Sequence, residues 1–241
     1  MDVPFLTVGR ANVRSIEING DRGVAFALYS GAERLDISLP VPGDFSVENA
    51  SLAAMTALSL GVCAQTVVCA LKDFRGVKGR MERVCENELG IGVFLDYAHT
   101  PDALEKLLLT VRRFRQDTQR VILVFGCGGD RDRTKRRKMG RIATRLADLT
   151  VLTSDNARSE DPNAIIADIL KGIDKEKPYK IILDRQEAIA YAVEVAQPGD
   201  IILLAGKGHE EYEIKGRDRL PFSERAIVAA CMAKKQNGEA R

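Results

Sequence analysis

Four strand-like hydrophobic runs in this chain each end in a cluster of charged, amide and glycine residues. This recurrence constrains the fold more than any other feature. Val93–Leu95 leads into Asp96-Tyr97-Ala98-His99-Thr100-Pro101, and Val121–Phe125 into Gly126-Cys127-Gly128-Gly129-Asp130-Arg131-Asp132-Arg133. Leu149–Leu152 leads into Thr153-Ser154-Asp155-Asn156-Ala157-Arg158, and Ile201–Ala205 into Gly206-Lys207-Gly208-His209-Glu210. In an open parallel sheet, ligands bind beyond the carboxyl ends of the strands. Four such ends point to an active-site rim.

Between these runs lie helical patterns. Thr100 as N-cap with Pro101 at the first helical position predicts a helix to about Phe114, and Asp161-Pro162 starts another to about Gly172. Lys138–Ala147, Gln186–Ala196 and Ser223–Lys234 are the remaining predicted helices, and Lys180–Leu183 is a further strand. Strands alternating with helices from Met81 onward imply an α/β fold with a doubly wound, mostly parallel sheet. The upstream part differs. Val13–Ile18, Val24–Tyr29 and Arg34–Leu39 read as an antiparallel meander, followed by a helix from Val47 to Leu60 capped by Ser46 and stopped by Gly61. A second helix covers Ala64–Phe74, with Val67, Val68, Leu71 and Phe74 on one face. The basic, glycine-containing stretch Arg75–Arg80 reads as a linker. A lone meander leaves open edges, so something should pair with it.

Composition excludes several classes. The 36 basic residues are balanced by 34 acidic ones for a net charge of +2, which gives no general argument for nucleic acid. No apolar run approaches the roughly 18 residues of a membrane span, and no signal-peptide pattern opens the chain. The five cysteines form no CxxC pair, which reads as reduced thiols in a cytoplasmic protein.

In the Gly126–Arg133 loop, glycines allow close backbone approach, and Arg131 or Arg133 can fork onto a carboxylate or phosphate; an ordinary glycine-rich βα turn has the same composition. Asp155, Asn156 and Arg158 suit a zwitterionic amino acid, with Asp for an ammonium and Arg for a carboxylate. An Asx-turn feeding the next helix explains them equally well. Gly206-Lys207-Gly208-His209-Glu210 can hold an anion or an ammonium, or form a tight turn. His99 and His209 are the only histidines and match no standard metal spacing. GxxxxGK[ST] is absent, so the chain does not run phosphoryl transfer unaided.

In order, Phe45–Ala50, Gly79-Arg80-Met81-Glu82, Asp96–Pro101, Val124–Arg133, Asp155–Arg158 and Ala205–Glu210 resemble the C-terminal part of the Mur ligase family. Within the family, the resemblance is to ligases that add meso-diaminopimelate to UDP-N-acetylmuramoyl-L-alanyl-D-glutamate. It implies that residues 1–80 are the end of a central ATPase domain, incomplete here, and that 81–235 form a Rossmann-like amino-acid-binding domain, with a tail at 236–241. A missing N-terminal half would carry the UDP-sugar site, phosphate loop, Mg2+ ligands and a modified lysine, leaving the chain inactive alone.

The resemblance further implies that ATP phosphorylates the glutamate carboxylate and that the incoming amine attacks the acyl phosphate. It assigns ATP contacts to Asn49, Arg80, Asp96, Tyr97 and His99. Diaminopimelate contacts fall to Arg131, Asp155, Asn156, Arg158, Gly206 and Glu210, with no catalytic or metal residue in this chain. Ala157 stands where the family motif carries proline, which implies looser binding with unchanged specificity. Lysine-adding relatives lack the arginine of that motif, so Arg158 favours diaminopimelate. The alternatives are a lysine-adding ligase, a folylpolyglutamate-synthase-like ligase, or a non-catalytic amino-acid- or nucleotide-binding module from a truncated gene.

Overall fold

The computed structural model describes residues 12–85 and 87–238; the tail read at 236–241 lies outside them from 239 onward. The chain divides into two compact units, one running to Gly76 with Arg113–Gln116, the other comprising Val77–Arg112 and the chain from Asp117.

In the first unit, β1 (Val13–Ile18), β2 (Val24–Ser30) and β3 (Glu33–Leu39) form an antiparallel sheet in that order. β2 and β3 pair without interruption from Val24↔Leu39 to Ser30↔Glu33. Because side chains alternate along a strand, this register turns Val24, Phe26, Leu28, Leu35, Ile37 and Leu39 to one face. Helix α1 (Asp44–Ser59) covers it with Val47, Ala50, Ala54 and Met55, and α2 (Ala64–Asp73) with Val67. Phe74, read as part of that face, lies past the helix and is exposed. The cap read at Ser46 is corrected: α1 starts at Asp44 with Gly43 in the cap position, and the buried Ser46 hydroxyl donates to Pro42 O at 2.9 Å. Gly61 does end the helix. At φ +85° it lets Val62 N reach Ala57 O (3.1 Å) and Gly61 N reach Leu58 O (3.0 Å), the paired bonds of a Schellman turn.

The second unit is built on a six-stranded sheet in the order β4-β5-β9-β6-β7-β8. β4 (Glu82–Arg83) is antiparallel to β5 (Gly92–Asp96). β9 (Ile201–Ala205), β6 (Val121–Phe125), β7 (Leu149–Leu152) and β8 (Tyr179–Ile181) continue from β5 in parallel. β6 and β9 are buried along their whole length, which is why they read as unbroken apolar runs: a parallel sheet is covered on both faces.

The steps β5→β6→β7→β8 all advance in one direction across the sheet. Right-handed crossovers therefore place α3 (Pro101–Phe114), α4 (Thr134–Leu146) and α5 (Pro162–Leu170) on one face. The return from β8 to β9 sends α6 (Arg185–Val195) to the other. There it packs Ala188, Ile189, Ala192 and Val193, with Val228 and Met232 of α7 (Glu224–Gln236), against Val93, Ile122, Val124, Val151 and Ile202. The chain leaving β9 thus diverges from those leaving β5 and β6 on either side, and such switch points open crevices at the carboxyl edge.

Three readings shift. α4 begins at Thr134 rather than Lys138, because Asp132 Oδ1 accepts from Thr134 N (2.8 Å) and Oγ1 (2.7 Å) and nucleates the first turn. β8 ends at Ile181 rather than Leu183, and Asp184 caps α6 by accepting from Glu187 N. A hairpin of β10 (Tyr212–Lys215) and β11 (Asp218–Pro221) follows β9, a pair the sequence reading did not contain.

Candidate ligand-binding rim

All four loops emerge from the carboxyl ends of the adjacent strands β5, β9, β6 and β7. The β6 and β7 loops are joined backbone to backbone: Gly129 N donates to Asn156 O at 2.9 Å. Arg158, in the left-handed conformation at φ +53°, sends Nη1 to Gly129 O (2.9 Å) and Asn156 O (3.2 Å). Its backbone is held by the hairpin, since Gly216 N donates to Arg158 O at 2.9 Å. Gly128 leaves the room this requires, because a Cβ there would lie 2.9 Å from Arg158 Nη1. Arg131 is exposed and donates to its neighbour's carbonyl, Asp130 O, at 3.0 Å.

A second tie fixes the same loops. Glu160 accepts from Asp130 N (2.7 Å) and from the buried Arg136 through Nη2 (2.8 Å) and Nη1 (3.0 Å), and forms an ion pair with Arg133 Nη2 at 3.0 Å. The Arg136 hydrogen bonds, with Asp130 N–H, hold the Glu160 carboxyl at about 2, far below its ordinary 4.5. Asp130 in turn accepts from Ser159 Oγ at 2.7 Å and Ser159 N at 3.1 Å.

The β7 and β9 loops meet around Lys207, which is 0% exposed. Its ammonium donates to Asn156 Oδ1 (3.1 Å) and Tyr212 O (2.9 Å), and Asp155 Oδ1 lies 3.6 Å away. Burial pushes its pKa down, opposed by the charge of Asp155. Burial pushes the Asp155 carboxyl up, but Arg185 and Lys207 outweigh it and leave it below the ordinary carboxylate value. Asp155 Oδ1 also takes Asn156 N at 2.6 Å. Oδ2 faces Gly206 (φ +115°), where a Cβ would sit 2.9 Å from it, so only glycine leaves this oxygen open. Asn156 Nδ2 donates to Glu210 Oε2 at 2.8 Å. Beneath the loops the buried Arg185 donates to Glu224 Oε1 (2.9 Å) and Ala205 O (2.9 Å), tying α6 to α7 and β9.

At the β5 end, Tyr97 is ringed by Arg80 (guanidinium 5.0 Å from the ring centre), His99 (4.7 Å) and His209 (5.2 Å). His99 Nδ1 lies 2.8 Å from Tyr97 O. Asp96 serves as scaffold as well as candidate: its carboxylate accepts from Met81 N and Ala98 N, each at 2.8 Å, and burial raises its pKa.

The structure therefore groups Arg80, Asp96, Tyr97 and His99 in one cluster, and Arg131, Asp155, Asn156, Arg158, Gly206 and Glu210 along the neighbouring loops. Asn49 is exposed on α1 of the first unit. Sequence reasoning missed the buried roles of Arg136, Arg185 and Lys207. No local signal marks them, since each is partnered by residues far along the chain. Among the described residues no group of three or more His, Cys, Asp or Glu is arranged to hold a metal.

A doubly wound domain with this rim defines a class. Residues 79–208 match the model of the Mur ligase glutamate ligase domain, and the chain belongs to that family. It is 43% identical over 234 residues to the UDP-N-acetylmuramoyl-L-alanyl-D-glutamate–2,6-diaminopimelate ligase of Synechococcus elongatus, covering 97% of this chain and 47% of that protein. The identically named protein of Clostridioides difficile is 41% identical over 239 residues, covering 97% and 49%. A solved structure of a ligase of that name superposes with a TM-score of 0.70 at 37% identity, covering 92% of this chain and 45% of the other. The chain spans about half the length of the curated relatives it matches.

Proposed function

We propose that this chain supplies the amino-acid subsite and adenosine-facing loops of an ATP-dependent ligase that joins meso-diaminopimelate to UDP-N-acetylmuramoyl-L-alanyl-D-glutamate. The observation that carries this is that a guanidinium and a carboxylate, Arg158 and Glu210, both hang on Asn156, through its backbone O and its Nδ2. That is the pairing a zwitterionic end of an amino acid requires. Arg158, reinforced by the exposed Arg131, would hold the distal carboxylate. Glu210 and the open Oδ2 of Asp155 would take the distal ammonium, leaving the other amine free to attack. The chain's contribution is positioning, which converts a bimolecular encounter into an oriented one. It offers no acid or base to the reaction itself.

Bound ATP would supply the phosphoryl group that activates the glutamate carboxylate. Tyr97, with Arg80 and the two histidines, offers a flat face and a cation suited to adenosine and ribose, and Asp96 lies at its edge. Mg2+ would accompany ATP in the complete enzyme; among the described residues no group of three or more His, Cys, Asp or Glu is arranged to hold it. The phosphate loop would lie in sequence beyond these 241 residues. Cys63, Cys69, Cys127 and Cys231 are free thiols, which suits a reducing cytoplasm. No helix among the described residues is long and apolar enough to cross a membrane.

Calorimetric titration tests the subsite. Meso-diaminopimelate should bind, L-lysine should bind more weakly for lack of the carboxylate, and Arg158→Ala should erase the difference. Equal affinity for the two ligands in the unaltered chain would refute the assignment.

A further inference from the structure

The GKG segment invites the reading that Lys207 is a ligand-facing cation, and its geometry denies this. The side chain is fully buried, and its ammonium is spent on Asn156 Oδ1, Tyr212 O and Asp155. What it does instead follows from the donors around Asn156. The Lys207 ammonium and the Ile214 N–H, the latter 2.9 Å from Oδ1, can only donate. The Asn156 side chain must therefore turn its oxygen towards them and its NH2 outward, where it meets Glu210 Oε2. Asn156 O meanwhile carries Arg158 Nη1 and Gly129 N. One buried cation, together with the Ile214 N–H, thus fixes the residue on which both charges of the subsite are mounted.

We infer that Lys207 is a positioning residue of the amino-acid subsite: by locking the orientation of the Asn156 carboxamide it sets the spacing between Glu210 and Arg158. Its pairing with Asp155 Oδ1 also leaves Oδ2 as the only oxygen that residue can offer a ligand. The role rests on the proposed amino-acid reading, but the lock itself is a property of the unliganded protein and can be measured there.

The test is Lys207→Met, which keeps length and removes the donor. In the unliganded chain, the Asn156 side-chain NH2 protons, resolved by 15N NMR, should lose hydrogen-exchange protection. Affinity for meso-diaminopimelate, measured well below the melting temperature, should fall by about tenfold or more. Leu108→Ala, a fully buried core variant in the middle of α3 and outside the rim loops in sequence, should keep the original affinity although destabilised, which separates positioning from stability. Preserved Asn156 protection with affinity within about twofold would overturn the inference. If the unaltered chain binds no diaminopimelate, the functional reading fails, while the lock is judged on the NMR protection alone. If Lys207→Met does not fold, Asn156→Asp keeps the partner of Lys207 but faces Glu210 with an acceptor. Unchanged ligand affinity in that variant would equally overturn the inference.

Discussion

Adjacent glycines in the β6 loop should fail in opposite ways when replaced by alanine. A Cβ on Gly129 would overlap the carbonyl oxygen of Ala157, with Ala157 C at 2.8 Å and Glu160 Cβ at 3.2 Å behind it. Nothing there is a flexible side-chain end. The loops can separate only by breaking the Gly129 N–Asn156 O bond and disturbing the Glu160 N–Ala157 O bond (3.1 Å). Two backbone bonds at about 0.5–1.5 kcal/mol each, with about 1–3 kcal/mol of overpacking strain, give a loss of roughly 2–5 kcal/mol for Gly129→Ala. For a domain of this size that is a fall in Tm of roughly 4–20 °C. A Cβ on Gly128 meets instead the tip of Arg158, Nη1 at 2.9 Å, which can swing away. Gly128→Ala should therefore stay within about 0.5–1 kcal/mol of the unaltered chain and lose diaminopimelate affinity. Urea and thermal unfolding of both variants, with calorimetry on each, decide the matter. Equal stability losses, or a Gly129→Ala change under about 0.5 kcal/mol, would refute the backbone contact on which the site geometry rests.

Two further outcomes are expected. Among the described residues Ala157 N–H donates no hydrogen bond, so Ala157→Pro loses none; it should stabilise the chain by about 0.4–1 kcal/mol through the unfolded state and tighten diaminopimelate binding without altering its preference over lysine. A drop in Tm would show that the loop's φ or its packing resists the ring. For Glu160 the folded pKa of about 2 lies below its ordinary 4.5, so its contribution is fully present above about 4.5 and vanishes as pH falls towards 2. The stability gap between the unaltered chain and Glu160→Gln should follow that course, with Asp130 and Asp168 titrating in both proteins; a gap independent of pH between 5 and about 2 would remove Glu160 from the tie between the rim loops.

What was legible in the sequence and what was not divide along a physical line. β6 and β9 could be read to the residue because a fully buried parallel strand has nothing but apolar side chains between its flanking loops, and β7 was equally legible although it buries Thr150 among its apolar residues. The starts of α3 and α5 were legible because Thr100-Pro101 and Asp161-Pro162 act within one turn; Thr100 Oγ1 accepts from Ala103 N and Asp161 Oδ1 from Asn163 N. Ser46 carried the same local signal and misled, because its hydroxyl found a partner behind it, at Pro42 O. The first turn of α4 was hidden by its charge. Arg136 sits there with no exposure, and only Glu160 and Asp168, on other segments, make such burial tolerable. The hairpin was missed for a related reason. Its inward residue Glu213 is polar and buried, held by Lys215 and Ser154, while Tyr212 and Ile214 are only half-buried, so the short alternation of β10 marks the wrong face as inward. The charges proposed to face a ligand lie at strand ends, where the sequence displays them. The charges that hold them were not legible, because a buried cation is stable only beside an anion supplied from elsewhere in the fold. Lys207 with Asp155, Arg185 with Glu224 and Arg136 with Glu160 all have this form, and each joins two segments that only the sheet order brings together.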